Sequence, residues 1–439
     1  MDQTKRNAFE SAPTKPRIVV VGGGAGGAEL VTALGRKLGR EMAEVTLIDC
    51  VASHLWKPRL HEVAVGLISP GEDAVSYFAL GQANNFRFQM GALTGLAAAN
   101  KTISIAGIAG ADGSDLVGPR NIPYDTLVLA IGSEVNNFHI EGVNEYCHML
   151  DSARQAEAFH RRILERAIQL SEGASGDLRI GIVGAGATGV ELAVELYHAI
   201  DAMQRYGGLV GSRRLAITLV EMAPRVLANS QPRTSAFAER ALRRLGVTVC
   251  LNASVTRVTA EALVLKGGEE IPCDLKVWAS GITGLPVAGQ LGLQVNTNRQ
   301  ILCDSSLRCQ DVEGIYALGD CAAVLDPKTG NQLPATAQVA HQQAAYLVKV
   351  IATSHQGGSV AAFKYRPMGS LVSLGPQSAA AELPAPKRRF LTFSGALPKL
   401  FYDSLQFLHR AALLGRVHAV ALALADLLRK TTTPPVKLH

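Results

Sequence analysis

Two segments of the chain share one pattern of hydrophobic and polar positions. Residues 17–39, RIVVVGGGAGGAELVTALGRKLG, and residues 178–200, LRIGIVGAGATGVELAVELYHAI, begin with an apolar run, pass through glycines and continue with apolar positions three or four apart. A continuous apolar run is typical of a buried parallel strand, and the later spacing is typical of an amphipathic helix. The pattern predicts a strand, a tight glycine turn and a helix in both places.

Each unit is followed by a second apolar run that ends in an acid, EVTLIDC with Asp49 and LAITLVEMA with Glu221. This order predicts a βαβ unit. The likeness continues where IPYDTLVLAIGS (122–133) parallels IPCDLKVWASGI (271–282). We therefore expect two copies of one α/β domain type. FRFQMGALTGLAAANKTISIAG and VTVCLNASVTRVTAEALVLKGG, which lie before these later strands, each predict a small antiparallel meander.

The remaining chain predicts a return to the first domain and then a separate C-terminal segment. GIYALGD forms a short strand ending at Gly319 and Asp320, and the helix that follows carries Gln338 and Gln342. Residues 382–389, ELPAPKRR, are typical of a linker, beyond which two helix-like segments follow. The predicted bounds are 15–150 and 279–385 for the two parts of the first domain, 151–278 for the second, and 386–439 for the C-terminal segment.

Composition and charge narrow the class of protein. The 439 residues are 48% hydrophobic and 18% charged, which predicts a globular chain of several domains. Neither a signal peptide nor a run of eighteen apolar residues is visible, so we expect a protein of the cytoplasm without a membrane-spanning helix. From residue 387 onward nine Lys and Arg face two acids, which places the net charge of +6 in the tail. No aromatic interleaving accompanies these charges, so we expect no nucleic-acid partner.

The two glycine turns fit dinucleotide phosphates. In Gly22-x-Gly24-x-x-Gly27 the first glycine makes the turn, the second admits a pyrophosphate and the third permits close helix packing. Gly184, Gly186 and Gly189 repeat the spacing. One such motif is weak, but two in strand–turn–helix context, each with an acid for a ribose, indicate two cofactors, for which FAD with visiting NAD(H) is the economical pair. Glu221 disfavours a 2′-phosphate and hence NADPH, although nearby Arg225 leaves that alternative open.

Seven cysteines form no CxxC or CxxxxC pair, so electrons are not expected to leave the flavin through a disulfide, and no residue pattern predicts a metal site. Beyond these general features, VVVGGGAGG, HLWKPRLHEVAVG, VLAIGS, VGAGATGVELA, WASGI, YALGDCA and AQVAHQ resemble the type II NADH dehydrogenases, single-subunit flavoprotein NADH:quinone oxidoreductases of bacterial respiratory membranes. The resemblance runs from about Arg17 to the C-terminal KLH.

The resemblance implies a glutathione-reductase-like α/β fold of two Rossmann-like dinucleotide-binding domains plus C-terminal amphipathic helices. It also implies noncovalent FAD, a homodimer, and peripheral attachment to the cytoplasmic face of the bacterial inner membrane. The residues it implies for FAD are Gly22, Gly24, Ala25, Gly27, Asp49, Lys57, Ala130, Gly132, Gly319, Asp320, Ala337 and Gln338. Those it implies for NADH are Gly184, Gly186, Gly189, Glu191, Glu221, Ala279 and Gly281.

Catalytic roles are implied for three residues, Glu191 near the nicotinamide and Gln338 and Gln342 at the quinone. A helix-dipole or surface carboxylate remains the alternative for Glu191, and a solvent-facing polar stripe for the glutamines. His54 and His61, on either side of Lys57, are interpreted as structural histidines. The small residues around the glutamines, such as Ala337 and Ala340, are interpreted as letting the helix approach a flat ring.

Apolar stripes mark the two C-terminal segments, from Leu397 to Leu408 and from Val417 to Leu428, with Lys387–Arg389 and Arg429–Lys430 as basic flanks. Core packing or a dimer seam is one interpretation, and we favour binding to an anionic membrane surface. The predicted reaction is hydride transfer from NADH to FAD and then two electrons to a membrane quinone, without proton pumping. The alternatives are a soluble NADH-dependent reductase with a protein or oxygen acceptor, a sulfide:quinone oxidoreductase, which would need paired cysteines, and a binding protein without turnover.

Overall fold

Two parallel β-sheets with helices on their faces form the frame of this computed structural model, which describes residues 15–110, 112–173, 175–205, 214–354, 358, 360–385, 389–432 and 436. Its α-helices, in chain order, are α1 (Ala25–Met42), α2 (Leu60–Ala64), α3 (Pro70–Asp73), α4 (Tyr77–Asn84), α5 (Val143–Tyr146), α6 (Ala153–Ser171), α7 (Ala187–Arg205), α8 (Pro232–Arg244), α9 (Ala337–Ser354), α10 (Ala396–Leu414) and α11 (Arg416–Thr432).

The first sheet combines four strands from the N-terminal part of the chain with one strand from much later in the chain. Its strands, in spatial order, are Ile315–Ala317, Thr126–Leu129, Arg17–Val21, Glu44–Asp49 and Arg87–Met90. All neighbours are parallel. Ile18, Val20 and Leu47 have no exposed surface, as expected for strands covered by helices on both faces. The late strand Ile315–Ala317 beside Thr126–Leu129 returns the chain to its first sheet, as the sequence predicts.

The second parallel sheet repeats the arrangement with the second glycine motif. Its strands, in spatial order, are Thr248–Cys250, Leu215–Val220, Leu178–Val183 and Leu275–Trp278. Their parallel registers place Ile182 opposite Leu219 and Val277, and all three side chains are buried. The predicted α/β fold class is therefore confirmed.

Antiparallel sheets follow each βαβ unit, but they are shorter than predicted. Their strands are Leu93–Ala97, Thr102–Ile105 and Arg120–Pro123 in the first unit, and Val255–Val258, Ala262–Leu265 and Glu270–Pro272 in the second. The prediction wrongly began each meander one strand too early. Arg87–Met90 and Thr248–Cys250 belong to the parallel sheets, because each extends a parallel edge left open by the preceding strand.

Short strand pairs hold the connecting loops in place. They are Ser53–His54 with Val75–Ser76, Ile108–Ala109 with Asp115–Val117, Ser133–Val135 with Ile282–Gly284, and Ile301–Leu302 with Ala322–Ala323. All are antiparallel except the last, which is parallel. The pair Ser133–Val135 with Ile282–Gly284 joins the segments that leave the two parallel sheets.

A three-stranded antiparallel sheet of Ser370–Ser373, Ala379–Ala385 and Arg389–Gly395 precedes the C-terminal helices. The interpretation as a linker is therefore wrong for residues 382–385 and 389, which belong to strands, and residues 386–388 lie outside the described residues. Pro384 suggested a break. It lies beyond Glu382, the last residue that pairs with strand Ser370–Ser373, and it pairs only with Phe390 on the other side. Proline is tolerated where a strand has a neighbour on one side only. Lys387 and Arg388, part of the predicted basic flank, lie outside the described residues.

The two C-terminal helices leave their apolar stripes exposed. Exposed fractions on α10 are 60% for Leu397, 67% for Leu400 and 60% for Leu408, and those on α11 are 58% for Leu424 and 61% for Leu427. These apolar stripes therefore do not pack into the core of their own chain. Among the described residues no helix is both long and apolar enough to cross a bilayer.

Candidate active site

The first glycine turn has the shape of a phosphate cradle. Gly22 has φ +99°, and a Cβ added there would lie 2.2 Å from the carbonyl oxygen of Ala130. A Cβ on Gly27 would lie 1.9 Å from the carbonyl oxygen of Gly22, whereas one on Gly24 would meet nothing within 4 Å. The outer glycines are therefore required by the fold, and the middle glycine faces open space at the start of α1, where Ala25 is the first helical residue. This geometry fits a dinucleotide pyrophosphate.

The second turn has the same shape. Gly184 has φ +103°, and a Cβ there would lie 2.7 Å from the carbonyl oxygen of Ala279. A Cβ on Gly189 would lie 1.9 Å from the carbonyl oxygen of Gly184, and one on Gly186 would again meet nothing within 4 Å. The same three constraints thus recur at the start of α7, which fits a second dinucleotide.

The acid at the end of each second strand supports its own glycine turn. Asp49 accepts a hydrogen bond from the backbone N–H of Gly23 at 2.6 Å, and Glu221 accepts one from Ala185 at 2.7 Å. The other oxygen of Glu221 accepts from the N–H of Ala223 at 2.8 Å. Both carboxylates are therefore fixed at the rim of a cradle, where a carboxylate oxygen with a remaining lone pair could accept from a ribose hydroxyl.

The segments that follow strands Thr126–Leu129 and Leu275–Trp278, one from each parallel sheet, are hydrogen-bonded to each other. Ser133–Val135 pairs with Ile282–Gly284, and the N–H of Asn136 donates to the carbonyl of Gly281 at 3.3 Å. Trp278 is buried and its indole N–H donates to the carbonyl of Asn136 at 2.8 Å. The pairing is antiparallel, so Ala130–Gly132 leads into one end of this ladder and Ala279–Gly281 leads into the other.

Lys57 joins the HLWKPRLHE block to this central region. Its Nζ donates to the carbonyl of Ser133 at 2.9 Å and to Asp151 Oδ1 at 3.3 Å. The hydroxyl of Ser133 donates to Asp320 Oδ2 at 3.0 Å. Lys57, Ser133 and Asp320, which are far apart in the sequence, thus form one hydrogen-bonded group.

Gln343 supports the Gly319–Asp320 turn, and the sequence did not single it out. Its exposed fraction is 1%, and its Oε1 accepts a hydrogen bond from the N–H of Gly319 at 2.7 Å. Gly319 has φ +73°, a conformation that glycine adopts without strain. The only available signal was a third glutamine in QVAHQQ, and nothing in the spacing distinguishes it from Gln342.

Gln338 and Gln342 bind the backbone of the segment that follows α9. Gln338 Nε2 donates to the carbonyl of Gly369 at 3.2 Å, and its Oε1 accepts from the N–H of Met368 at 3.0 Å and from the hydroxyl of Tyr365. Gln342 donates to the carbonyl of Arg366 at 2.8 Å and accepts from its N–H at 3.0 Å. Each amide nitrogen has a second N–H that these hydrogen bonds do not use.

The small residues of α9 include one that serves helix packing. A Cβ on Gly26 of α1 would lie 3.1 Å from the carbonyl oxygen of Ala340 and 3.2 Å from its Cβ. Ala340 is buried, whereas Ala337, the first residue of α9, is partly exposed. The small side chain of Ala340 therefore permits the close approach of α1 and α9.

Glu191 is buried in a cluster of polar groups from four elements. Its Oε1 accepts a hydrogen bond from the N–H of Ser373 at 2.8 Å, and the side chain also accepts one from Tyr402 of α10. Its Oε2 lies 3.7 Å from Nδ1 of His61 in α2. Burial raises the pKa of Glu191 to about 8, and burial also raises the pKa of Glu195, one turn along α7, to about 7. The carboxyl of Glu191 is therefore largely neutral at pH 7, and an exposed helix-dipole carboxylate is ruled out.

Comparisons with known proteins give one consistent result. The family model described as pyridine nucleotide-disulphide oxidoreductase matches residues 16–344. A type II NADH:quinone oxidoreductase of Haemophilus influenzae is 39% identical, over 96% of this chain and 99% of that protein. The solved structure of NDH2 from Plasmodium falciparum in complex with NADH superposes with a TM-score of 0.82 over 96% of this chain and 100% of that one, at 19% identity. The sulfide:quinone oxidoreductase of Aquifex aeolicus, at 18% identity and a TM-score of 0.72 over 95% of this chain and 96% of that one, shares the fold.

Proposed function

The chain belongs to the pyridine nucleotide-disulphide oxidoreductase family and to the type II NADH:quinone oxidoreductases, and from this premise we propose the roles of its residues. It is an NADH:quinone oxidoreductase that uses FAD and NADH. When bound, FAD supplies the hydride acceptor and electron carrier between the two substrates. Gly22–Gly27 with Asp49 hold FAD, and Gly184–Gly189 with Glu221 hold NADH.

The observation that carries this proposal is the junction of the two cradles. Ser133–Val135 and Ile282–Gly284 are hydrogen-bonded strands that leave the two parallel sheets at their nucleotide-binding ends. Two ligands in the two cradles would therefore extend toward one shared region. Ala130, Gly132, Ala279 and Gly281 would line it, with Lys57, Gly319 and Asp320 at its edge. Such a meeting point is what hydride transfer between two dinucleotides requires.

The quinone is proposed to bind at the first turns of α9. There Gln338 and Gln342 can each offer one N–H to a quinone carbonyl while their other atoms hold the segment from Tyr365 to Gly369. Glu191, which the resemblance implies for the nicotinamide, is proposed here to supply a proton during quinone reduction. It accepts a hydrogen bond from Ser373, on the strand that directly follows the segment held by Gln338, and burial keeps its carboxyl neutral. Quinone reduction consumes two protons, and this chemistry proceeds without proton pumping.

Membrane attachment is proposed through the exposed stripes of α10 and α11. Phe390, Leu391 and Phe393, on the strand that leads into α10, are exposed and extend the apolar surface. An amphipathic surface of this kind enters the headgroup region of a bilayer, and nearby basic residues add attraction to anionic lipids. We place this surface on the cytoplasmic face of the inner membrane, and we include the homodimer implied by the family resemblance in the proposal.

The two open glycines allow the two nucleotide sites to be blocked separately. Gly24→Val and Gly186→Val place bulk where a Cβ meets no protein atom, so both variants are expected to fold. Gly24→Val should lose bound flavin. Gly186→Val should keep its flavin, fail to reduce it with NADH, and still reoxidise dithionite-reduced flavin with a quinone. Gly289→Val, at another glycine with open space, is the control. If Gly186→Val reacts with NADH as the wild type does, the assignment of the second cradle is wrong.

The acceptor is tested by steady-state oxidation of NADH. A soluble ubiquinone analogue should raise the rate well above that with oxygen alone, and this increase should depend on Gln338 and Gln342. A protein acceptor that outcompetes every quinone would instead favour the soluble reductase.

A further inference from the structure

A hydrogen-bonded chain connects the first glycine turn to the C-terminal helix α10. His54 Nδ1 lies 2.8 Å from the carbonyl oxygen of Gly23, and His54 Nε2 lies 2.7 Å from Nε2 of His409. His409 Nδ1 lies 2.7 Å from Oε1 of Glu29 on α1. The other oxygen of Glu29 is bonded to Nδ1 of His341 on α9. One chain therefore joins the turn to α1, α9 and α10.

The part of this hydrogen-bonded chain from His54 to His409 is buried, whereas its far end, His341, is exposed. Exposed fractions are 4% for His54 and 8% for His409, and the ring of Trp56 stacks on His409 with centroids 5.4 Å apart. A buried polar chain of this kind is stable only when every member has a partner. None of these contacts is used by the roles proposed above for NADH or the quinone.

The positions of the protons determine the net charge of the two imidazole rings in this hydrogen-bonded chain. The carbonyl of Gly23 can only accept, so His54 Nδ1 carries a proton, and one further proton must lie between the two facing Nε2 atoms. Burial alone would raise the pKa of Glu29, but hydrogen bonds from His341 and His409 lower it to about 2, so this carboxylate also only accepts. The two rings therefore hold three ring protons and one positive charge. Burial, followed by the neighbouring His409, lowers the pKa of His54 to about 4.

The turn at the other end of the chain is held rigidly. The carbonyl of Gly23 accepts from the hydroxyl of Tyr77 at 2.6 Å as well as from His54, and its N–H donates to Asp49 at 2.6 Å. The orientation of the peptide units that line the cradle thus depends on His54, and His54 is held in turn by His409. A second tie fixes α10 to α1, since Arg36 donates to the carbonyls of Ala412 and Leu413 at 2.9 and 2.7 Å.

We propose that His409 is a positioning residue for FAD, which couples the seating of helix α10 to the affinity of the first glycine turn for the cofactor. The proposal rests on the assignment of that turn to FAD. The helix whose outer face is proposed to meet the membrane therefore also supports the cofactor site from its inner face. Because coupling between two equilibria is reciprocal, bound FAD should favour the seated helix by the same factor.

The test replaces the imidazole ring of His409 with a phenyl ring, which keeps an aromatic side chain at this position. His409→Phe keeps a ring against Trp56 and removes both polar contacts, and His418→Phe on α11, an exposed histidine, is the matched control. FAD is titrated into flavin-depleted protein and followed by flavin fluorescence. We expect the dissociation constant to rise about tenfold for His409→Phe, as for the loss of one buried hydrogen bond, and to be unchanged for His418→Phe. An unchanged constant for His409→Phe would overturn the coupling.

A double-mutant cycle tests the route. His54→Phe with His409→Phe should bind FAD no more weakly than His54→Phe alone, because both changes cut one chain. Additive losses would overturn the route through His54. If His409→Phe does not fold, His409→Gln takes its place, and its amide, which keeps one of the two contacts, should give an intermediate rise.

The reciprocal measurement is hydrogen exchange in α10. FAD should slow amide exchange of residues 396–414 in the wild type and in His418→Phe, but not in His409→Phe. Equal protection in all three proteins would contradict the coupling. Failure of wild-type protein to bind FAD would overturn the proposed function itself, whereas tight binding by both wild type and His409→Phe would overturn this inference alone.

Discussion

Replacing Glu191 with glutamine removes a titrating group while keeping an acceptor for the N–H of Ser373. In the folded protein burial raises the pKa of this carboxyl from 4.5 to about 8. Between these two values the folded state holds a proton that the unfolded state has released. The free energy of unfolding therefore falls as pH rises, by about 1.4 kcal/mol per pH unit.

From pH 6 to pH 8 the loss is about 2 kcal/mol, because the slope flattens as the pH approaches the folded pKa. For 439 residues the unfolding entropy is about 0.9 kcal/mol/K, at about 2.1 cal/mol/K per residue. The melting temperature of the wild type should thus fall by about 2 to 3 °C more than that of Glu191→Gln over this range. Unfolding of a smaller cooperative unit would enlarge the difference.

The assay is thermal unfolding followed by flavin fluorescence, at saturating FAD and constant ionic strength, for both proteins at pH 6, 7 and 8. Glu165→Gln, which changes an exposed carboxylate of α6, is the control and should follow the wild type. Glu195, whose charge is among the causes that raise the pKa of Glu191, titrates in every protein of the series. Parallel pH profiles for wild type and Glu191→Gln would mean that Glu191 is already ionised at pH 6, and the argument for a neutral proton donor would fail.

Three further changes test separate parts of the account. Gln338→Leu with Gln342→Leu should raise the KM for quinone about tenfold and leave flavin reduction by NADH nearly intact, as stopped-flow kinetics would show, whereas equal damage to both half-reactions would favour a purely structural role for these amides. Lys57→Met should raise the FAD dissociation constant about threefold in a fluorescence titration, because Ser133 loses a donor; an unchanged constant would remove Lys57 from the site. Leu400→Glu with Leu424→Glu should release the protein from anionic vesicles in a sedimentation assay, and undiminished binding would contradict attachment through α10 and α11.

The sequence was sufficient where the determining residues are close together. A glycine turn, the strand before it and the helix after it lie within about twenty residues, so the spacing of Gly22, Gly24 and Gly27 is visible without a structure. The same holds for the second motif, and both parallel sheets follow from these units. The return of Ile315–Ala317 to the first sheet was also predicted, because a short apolar strand precedes Gly319 and Asp320.

Contacts between distant segments were not predictable. His54 meets His409 across 355 positions, and Glu191 meets Ser373 across 182, and no periodicity relates such residues. The sequence alone favours a structural role for His54, and its link to a C-terminal helix is visible only in three dimensions. The prediction also failed at 382–385 and 389, because proline and charge are local signals of a break, whereas Ala379–Ala385 pairs with Arg389–Gly395 in an antiparallel sheet.

The order of electron transfer, from NADH through FAD to a quinone, can be measured in one experiment. Its most direct test is an anaerobic stopped-flow experiment in two steps, with the absorbance of bound flavin as the signal. We predict that NADH bleaches the flavin of the purified protein and that a ubiquinone analogue then restores the oxidised spectrum within the turnover time. Bleaching that no quinone reverses would contradict the account.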